Sequence, residues 1–237
     1  MPKRIVVTGG TKGIGKAIVN LFAEKGYEVI TCSRNSSNLE DLKKEIESRV
    51  SNSKIHIFKA DLSVKIEAMA FGEFSKKVVG KGSLDVLVNN TGVFIPGQIQ
   101  TEDDGILEQM IQTNLYSAYY LTRNLLPLFI GQKQGDIFTL CSTASFVPYV
   151  NGGSYCISKF ALYGMNKVLR EEMKPHGVRV VSILPGPTLT ASWDGADIPA
   201  DRFIKPEDVA ESIWSAHLLS KNTVVEEILL RPQLGDL

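Results

Sequence analysis

Seven short runs of β-branched and other apolar residues alternate along this chain with longer segments whose apolar residues recur at helical spacing. This alternation constrains the fold most, because it is the pattern of repeated strand–helix–strand units. The runs are apolar on both sides, as expected for a parallel sheet that is covered on both faces. They are Arg4–Thr8, Glu28–Cys32, Ile55–Lys59, Asp85–Asn89, Asp136–Cys141, Arg179–Leu184 and Glu226–Leu230.

The segments between the runs predict helices. One stripe consists of Ile14, Ile18, Leu21 and Phe22, and further stripes contain Ile106, Met110 and Ile111, then Leu121, Leu125 and Leu126. We therefore predict an α/β fold, a doubly wound Rossmann-type parallel sheet of about seven strands with helices on both faces. No repeat and no proline- or glycine-rich linker divides the 237 residues, so residues 1–237 are predicted to form a single domain.

The longest stretch without periodicity is Pro185–Lys205, which precedes a helix start at Pro206-Glu207-Asp208. Long loops of this kind in compact domains are often functional, although a tolerated surface insertion has the same appearance. This one leaves the carboxyl end of a strand, the side on which doubly wound sheets bind ligands. We therefore predict a substrate lid over residues 187–205.

The composition excludes several classes of protein. Lysine plus arginine and aspartate plus glutamate number 26 each, so the formal net charge is zero and neither nucleic acid nor a membrane is an expected partner. The chain contains no apolar run of membrane-spanning length, and we expect no signal peptide, because the first strand begins at Arg4. The three cysteines have no disulfide or zinc spacing, and the three histidines have no ligand set, so no metal is expected. We predict a cytoplasmic protein.

A glycine-rich turn joins the first strand to the first helix. It reads Thr8-Gly9-Gly10-Thr11-Lys12-Gly13-Ile14-Gly15. Glycines let a phosphate approach the backbone, and a helix start offers free N–H groups and a partial positive charge. A plain strand–helix turn also favours glycine, but the flanking strand and helix are the context that phosphate binding requires. A P-loop kinase or ATPase is excluded, because the turn does not end in Gly-Lys-Ser/Thr. The expected contacts are Gly9, Thr11, Lys12, Gly13, Ile14 and Gly15.

The spacing T-G-x-x-x-G-x-G resembles that of the short-chain dehydrogenase/reductase family, and other motifs of this family follow in order over essentially the whole chain. The resemblance implies an oxidoreductase that moves a hydride between a nicotinamide cofactor and a carbonyl or alcohol substrate. Thr91 departs from the alanine that is usual at its position. The matching motifs are Ala60-Asp61-Leu62, Asn89-Asn90-Thr91-Gly92, Thr113-Asn114-Leu115, Ser142, Tyr155-Cys156-Ile157-Ser158-Lys159, and Pro185-Gly186 with Thr190.

Tyr155 and Lys159 are four residues apart, so both emerge on one face of a helix. A nearby ammonium, with the charge of an oxidised nicotinamide, would lower the pKa of Tyr155 and let it exchange a proton with the substrate. By itself, such a pair is more often an ordinary amphipathic one. The resemblance implies that Ser142 holds the substrate oxygen and that Asn114 holds a water that links Lys159 to solvent. Without the resemblance, Ser142 would be explained equally well as a turn residue and Asn114 as a helix cap.

The resemblance implies further cofactor contacts. Asp61 would accept a hydrogen bond from the adenine, although it also suits a helix N-cap. Asn89 would stabilise the cofactor side of the sheet, and Thr188 with Thr190 would hold the nicotinamide carboxamide. The expected contacts outside the glycine-rich turn are Asp61, Leu62, Asn89, Thr91, Gly92, Tyr155, Lys159, Pro185, Gly186, Thr188 and Thr190.

The end of the second strand predicts NADP(H) rather than NAD(H). Enzymes that bind NAD place a carboxylate there, whereas this chain reads Thr31-Cys32-Ser33-Arg34 and has no carboxylate until Glu40. The Arg34 guanidinium suits a 2′-phosphate, with Lys12 on its other side and a hydrogen bond from Ser33. The alternative is that both cations are ordinary solvated surface residues.

An NADP(H)-dependent carbonyl reductase or alcohol dehydrogenase is the leading hypothesis. The alternatives are a 3-oxoacyl-[acyl-carrier-protein] reductase and, from another class, an inactive NADP-binding sensor or scaffold. The C-terminal stretch after Thr223 resembles those of bacterial sepiapterin-reductase-like and broad-specificity carbonyl reductases. We expect an apolar, aromatic pocket for a small-molecule ketone, lined by Val93, Phe94, Ile95, Ala144, Ser145, Phe146, Tyr149 and Trp193.

We also expect a homodimer or homotetramer. In the family that this chain resembles, the two central helices pack across a two-fold axis. The apolar side chains expected to supply this surface are Tyr119, Tyr120, Leu121 and Leu125 on one helix, and Phe160, Leu162, Met165 and Val168 on the other. The alternative is that these stripes face only the sheet.

Overall fold

The seven predicted runs are all strands, and their ends agree with the prediction within one residue. The computed structural model describes residues 2–193, 195 and 197–237. Neighbouring strands are all parallel and form one sheet in the order β3-β2-β1-β4-β5-β6-β7. The strands are β1 (Arg4–Thr8), β2 (Glu28–Ser33), β3 (Ile55–Lys59), β4 (Val86–Asn89), β5 (Asp136–Leu140), β6 (Arg179–Pro185) and β7 (Glu227–Leu230).

Helices occupy the segments between the strands. Asn35 caps the second helix by accepting a hydrogen bond from the Asn38 N–H at 3.2 Å. The last helix begins at Pro206, as predicted, with two acidic residues in its first turn. The helices are α1 (Gly13–Glu24), α2 (Ser36–Arg49), α3 (Lys65–Val79), α4 (Ile106–Met110), α5 (Ser117–Gln132), α6 (Gly153–Met173) and α7 (Pro206–His217), and a π-helical segment, Ile111–Tyr116, joins α4 to α5.

The helices cover both faces of the sheet because side chains alternate along each strand. Ile5 and Val7 of β1 pack in one core with Phe22 of α1 and with residues of α2 and α7. Val6 packs in the other core with Phe129 of α5 and with residues of α3 and α6. This three-layer arrangement confirms the predicted doubly wound fold.

The strand order positions the candidate site. The chain runs outward from β1 through β2 to β3 and then returns to place β4 on the other side of β1. The loops after β1 and β4 therefore diverge at the carboxyl edge of the sheet, which is where sheets of this kind bind ligands. The predicted motif loops all follow strand ends at this edge.

Two expectations need correction or restriction. Leu121, Leu125 and Leu162 do not supply an outer surface, because their side chains are buried in the core. Asp194 and Ala196, which belong to the predicted lid, lie outside the described residues.

Within the described part of the chain, no helix is both long and apolar enough to cross a membrane.

Candidate active site

The turn between β1 and α1 has the geometry that a phosphate site requires. Gly9 has a φ of 66°, in the left-handed region that glycine favours. A Cβ on Gly15 would overlap the Gly9 carbonyl oxygen and lie 2.5 Å from Asn90 Nδ2. No side chain of the described residues caps the start of α1, and its first turn contains no acidic residue. The N–H groups at this helix start are thus available to an anionic ligand.

Asn90 ties the turn after β4 to the turn after β1. Its Nδ2 donates to the Thr8 carbonyl oxygen at 2.8 Å and to the Gly9 carbonyl oxygen at 3.3 Å. Thr8 Oγ1 in turn accepts from the N–H groups of Asn90 and Thr91 at 2.8 and 2.9 Å. These four hydrogen bonds hold together the two loops that flank the switch in strand order.

The sequence analysis expected Asn89 to stabilise the cofactor side of the sheet and made no assignment for the side chain of Asn90. The buried Asn89 side chain donates to Thr122 Oγ1 of α5 at 2.8 Å. Successive side chains of an extended segment point to opposite sides, so only one residue of the Asn-Asn pair can face the glycine-rich turn. The Asn89-Asn90 pair is visible in the sequence, but only the structure shows that Asn90 is the one whose side chain bonds the glycine-rich turn.

Three cations surround the end of β2. Thr11 Oγ1 of the glycine-rich turn donates to Ser33 Oγ at 3.1 Å, so the two predicted cofactor segments are in contact. Arg34 and Lys12 are exposed. Lys59, which the sequence analysis missed, is the register partner of Ser33 on β3 and is also exposed. Among the described residues, none of these cations has a carboxylate within ion-pair distance.

Asp61 forms a turn after β3 and does not cap a helix. Its Oδ1 accepts from the N–H and the hydroxyl of Ser63 at 3.0 and 2.7 Å. Glu67 of α3 accepts from the Asp61 N–H at 2.7 Å, and α3 begins only at Lys65. The neighbouring Leu62 is buried. The helix-cap alternative is therefore wrong for Asp61.

The loop after β6 reaches the glycine-rich turn. The Gly186 N–H donates to the Leu230 carbonyl oxygen of β7 at 2.8 Å, and Thr188 Oγ1 donates to the Gly186 carbonyl oxygen at 3.0 Å. A Cβ on Gly13 would lie 3.1 Å from Thr190 Cγ2. Two of the predicted cofactor segments, which are far apart in sequence, thus touch each other.

The two ends of the predicted lid are paired. Leu189 donates through its N–H to the Ile204 carbonyl oxygen, and the Ile204 N–H donates to the Pro187 carbonyl oxygen, both at 2.9 Å. Within the segment, the rings of Trp193 and Phe203 lie 5.1 Å apart. Trp193 therefore packs against its own segment.

Tyr155, Ser142 and Lys159 converge beside the end of β5. The rings of Tyr155 and Phe94 meet edge to face, with centroids 4.9 Å apart. Lys159 Nζ lies 5.9 Å from the centroid of the Tyr155 ring. The same ammonium donates to the Leu140 carbonyl oxygen at 2.8 Å, and the Lys159 residue is only 6% exposed.

Burial shifts both titratable groups. It raises the pKa of Tyr155; the Ser142 side chain opposes this rise, while Cys156 and Cys141 add to it. Burial lowers the pKa of Lys159 to about 8, against a smaller opposite effect of Cys141. Among the protein's own groups, desolvation of the phenol exceeds the favourable contact with Ser142, so the pKa of Tyr155 is raised; the expected lowering also included the positive charge of an oxidised nicotinamide.

Ser142 is oriented by the short 3₁₀ turn that follows it, Thr143–Ser145. Its Oγ accepts from the Ala144 N–H at 3.1 Å, and Ser145 Oγ accepts from the Ser142 N–H at 3.2 Å. A hydroxyl that already accepts from the backbone retains its own hydrogen for donation. Ser142 is thus a fixed donor next to Tyr155.

Asn114 connects the loop after β4 to α6. It is fully buried in the π-helical segment; its Oδ1 accepts from the Val93 N–H at 2.7 Å, and its Nδ2 donates to the Val93 carbonyl oxygen at 3.0 Å and to Ser158 Oγ at 2.9 Å. A Cβ on Gly92 would lie 3.4 Å from Asn114 Oδ1 and 3.6 Å from Lys159 Nζ. The structure thus brings three motifs of the sequence together at one point.

The predicted substrate residues differ in their placement. Phe94 contacts Tyr155, and burial raises the pKa of Tyr149, with a smaller contribution from the neighbouring Tyr155. Ala144 and Ser145 are buried beneath the surface, whereas Phe146 and Tyr149 are 39% and 47% exposed. Trp193 has its ring contact within the lid, as described above.

Comparison with known proteins gives consistent results. The sepiapterin reductase of Chlorobaculum tepidum is 32% identical over 244 residues, which cover 98% of this chain and 97% of that protein. The 3-ketodihydrosphingosine reductase of Dictyostelium discoideum is 30% identical over 251 residues, which cover 99% of this chain and 73% of that protein. A solved structure described as a metagenomic short-chain oxidoreductase in complex with NADP has a TM-score of 0.84 at 29% identity, covering 98% of this chain and 97% of that one.

The family assignment rests on more than individual relatives. Residues 3–197 match the family described as short chain dehydrogenase, and this range contains the glycine-rich turn, Ser142, Tyr155 and Lys159. The parallel sheet and the convergence of these residues at its carboxyl edge agree with that match. This chain belongs to the short-chain dehydrogenase family of oxidoreductases.

Proposed function

We propose that this chain is an NADP(H)-dependent reductase of carbonyl compounds in which Tyr155 is the proton donor. The observation that carries the proposal is the position of Tyr155 beside Ser142, with Lys159 one helical turn away. A phenol whose pKa is raised by burial stays protonated at neutral pH, so it is ready to donate to a carbonyl oxygen. Two relatives over nearly the whole chain are themselves named reductases.

The residues present fit NADP(H). The uncapped start of α1, with no acidic residue in its first turn, suits the pyrophosphate. The exposed cations Lys12 and Arg34, beside Ser33, suit a 2′-phosphate. Comparison supports the same cofactor, since the metagenomic relative is described as a complex with NADP. The other proposed cofactor contacts are Gly9, Thr11, Gly13, Ile14, Gly15, Asp61, Leu62, Asn89, Thr91, Gly92, Lys159, Pro185, Gly186, Thr188 and Thr190.

When bound, the nicotinamide would supply the hydride. Ser142 donates a hydrogen bond to the substrate oxygen, and Tyr155 transfers its proton to that oxygen as negative charge develops there. The Lys159 ammonium stabilises the phenolate that remains on Tyr155. Asn114 holds Val93 and Ser158 in place, and its proposed water would return a proton from solvent by way of Lys159.

The proposed substrate is neutral and apolar near its carbonyl group. Three chain segments at the carboxyl edge of the sheet, residues 91–101, 141–158 and 185–193, contain no Asp, Glu, Lys, Arg or His. A charged group of the substrate would find no counter-charge on these segments, and burying an unpaired charge is costly. Phe94 and Tyr149, close to Tyr155, offer aromatic surface instead.

Two alternatives make different predictions. A 3-oxoacyl-[acyl-carrier-protein] reductase would require carrier protein or its thioesters for efficient turnover, whereas the proposed enzyme reduces free ketones. An inactive sensor or scaffold would bind NADPH and turn over no carbonyl compound. The retention of Asn114, Ser142, Tyr155 and Lys159 favours an enzyme over a sensor.

The remaining proposals concern the whole chain. Residues 1–237 act as one domain, with a lid at 187–205, and two or four copies associate. Cys32, Cys141 and Cys156 are free and buried, which suits a reducing compartment such as the cytoplasm.

The test is Tyr155→Phe, assayed by loss of NADPH absorbance with a panel of carbonyl compounds. We expect turnover to fall by about 10²- to 10⁴-fold, while the NADPH dissociation constant changes little, because only the transferred proton is lost. Lys159→Ala should impair both turnover and NADPH binding. Tyr163→Phe is the matched control, since Tyr163 lies on the same helix and donates to Glu227 at 2.5 Å. Near-wild-type turnover of Tyr155→Phe on the best substrate would refute the mechanism.

A further inference from the structure

Glu102, in the loop between β4 and α4, bonds the first turn of α6. Its Oε1 accepts from the Ser154 N–H at 2.8 Å, and its Oε2 accepts from the Ser154 hydroxyl. Both carboxylate oxygens therefore hold one residue, and that residue directly precedes Tyr155 in the chain.

Glycines make this contact possible. A Cβ on Gly153 would overlap Glu102 Oε1, and a Cβ on Gly97 would lie 2.6 Å from Glu102 Cγ. The Gly97 N–H donates to the Asn151 carbonyl oxygen at 3.0 Å, and Gly97 forms a parallel bridge with Gly152. The loop thus packs backbone to backbone against the start of α6, and Glu102 fits between the two.

α6 has no cap of its own at this end. Gly152 occupies the N-cap position without a side chain, and the first turn of α6 contains no acidic residue. Helix starts carry unpaired N–H groups and a partial positive charge, which a carboxylate complements. Glu102 supplies this carboxylate from a distant part of the chain.

The same loop carries Phe94, whose ring packs on Tyr155. Asn114 holds the beginning of the loop through Val93, and Glu102 holds its end through Ser154. We propose that Glu102 is a positioning residue for the reduction: it locks the loop that carries Phe94 to the helix that carries Tyr155, and so sets the position of the phenol against the substrate. This inference rests on the proposed function.

The experiment compares Glu102→Ala with Glu102→Gln. Displacement of a reacting group by about 1 Å can cost on the order of 100-fold in rate, so we expect kcat of Glu102→Ala to fall by about 10- to 100-fold. The KM for NADPH and its dissociation constant, measured by fluorescence titration, should change by less than about twofold. Glu102→Gln should recover kcat to within a few-fold, because its amide can bond both the N–H and the hydroxyl of Ser154.

Glu28→Ala controls for a general loss of stability. Glu28 is a buried carboxylate of β2, bonded to Arg4 and His56, and it begins its strand at the edge of the sheet opposite the site. We expect this variant to have a lower unfolding midpoint and an unchanged kcat. A purely structural role of Glu102 would make Glu102→Ala behave in the same way.

A kcat for Glu102→Ala within about twofold of the wild type would overturn the inference, while inactive Tyr155→Phe would still support the proposed function. Turnover by Tyr155→Phe would overturn both the inference and the proposed function.

If Glu102→Ala does not fold, Glu102→Asp replaces it. Its shorter side chain keeps the charge but cannot reach both groups of Ser154, so its kcat should be lower than that of Glu102→Gln. Equal kcat values for the Asp, Gln and wild-type proteins would overturn the inference.

Discussion

Lys159 lies in an environment very different from that of a surface lysine. Its ammonium lies in a buried position and donates to the Leu140 carbonyl oxygen. Desolvation disfavours the charged form, and the pKa falls from its ordinary value of 10.5 to about 8. The positive charge on Lys159, which the proposed mechanism needs, therefore lowers the stability of the folded protein.

This conflict predicts a stability that rises with pH. Between pH 8 and 10.5 the unfolded chain binds the Lys159 proton more strongly than the folded chain does, so the free energy of unfolding increases as pH rises through this window. Relative to Lys159→Met, which lacks the titrating group, the wild type should gain roughly 1–2 kcal/mol between pH 7.5 and 9.5. Urea unfolding at several pH values measures this difference. If the stabilities of the two proteins changed with pH in parallel, burial would not lower the pKa of Lys159.

Arg34 is the residue expected to select the cofactor. Loss of one charge-assisted contact to phosphate costs about 1.5–3 kcal/mol, which is about a tenfold to hundredfold loss of affinity. Arg34→Ala should therefore weaken NADPH binding by that factor and leave NADH binding nearly unchanged, and Ser33→Asp with Arg34→Ala should shift preference toward NADH. Fluorescence titration with both cofactors measures this.

Two further variants sharpen the cofactor test. Lys59→Ala should weaken NADPH binding less than Arg34→Ala does, because Lys59 lies one strand further from the glycine-rich turn. Lys44→Ala, an exposed lysine of α2, is the control that should change neither affinity. Equal losses for NADPH and NADH in Arg34→Ala, or a wild type that prefers NADH, would contradict the assignment.

Among the elements, the lid is the segment expected to respond to ligands. Hydrogen bonds between Leu189, Ile204 and Pro187 pair its ends, whereas the described residues between them form only short 3₁₀ turns. Paired ends with a loosely bonded middle suit a segment that opens and closes as a unit.

Limited proteolysis tests this prediction for the lid. Cleavage within residues 189–200 should occur in the ligand-free protein and slow markedly when NADP and a substrate analogue are both present, because closure buries the segment. NADP alone should slow cleavage less than both ligands together. An unchanged cleavage rate with both ligands bound would argue against a lid.

At the scale of the whole molecule, α4, α5, the π-helical segment between them and α6 present apolar surface to solvent. Tyr119 and Phe160 are 42% and 43% exposed, and Val168 is 59% exposed. Several large apolar side chains exposed on neighbouring helices are the composition expected of an interface between protein copies. The exposed members are Leu107, Tyr116, Tyr119, Ile157, Phe160 and Val168.

We therefore expect a homodimer or homotetramer by light scattering at micromolar concentration. Tyr119→Asp with Phe160→Asp should shift the protein toward smaller species, because each buried carboxylate at an interface lacks a partner. Ile66→Asp is the matched control, since Ile66 is a highly exposed apolar residue on α3. A wild type that is monomeric at this concentration would refute the expectation.

The amino-acid sequence by itself determined the strands, the parallel sheet, the two helical layers and the order of the motifs. These features follow from local periodicity and from the positions of glycine and proline, which depend only on residues close together in the sequence. The position of Ser142 at the carboxyl edge could be predicted as well, because the carboxyl ends of parallel strands lie at one edge of the sheet. Its convergence with Tyr155 and Lys159 of α6 was expected from the resemblance to the family.

Only the tertiary structure decided which side chains use that edge and how. It shows that Asn90 bonds the glycine-rich turn, that Leu121, Leu125 and Leu162 lie in the core, and that Glu102 bonds the start of α6. It also shows that desolvation raises the pKa of Tyr155 against the favourable contact with Ser142. Each of these outcomes depends on contacts and desolvation between segments far apart in the chain, and local sequence patterns carry no information about such distances.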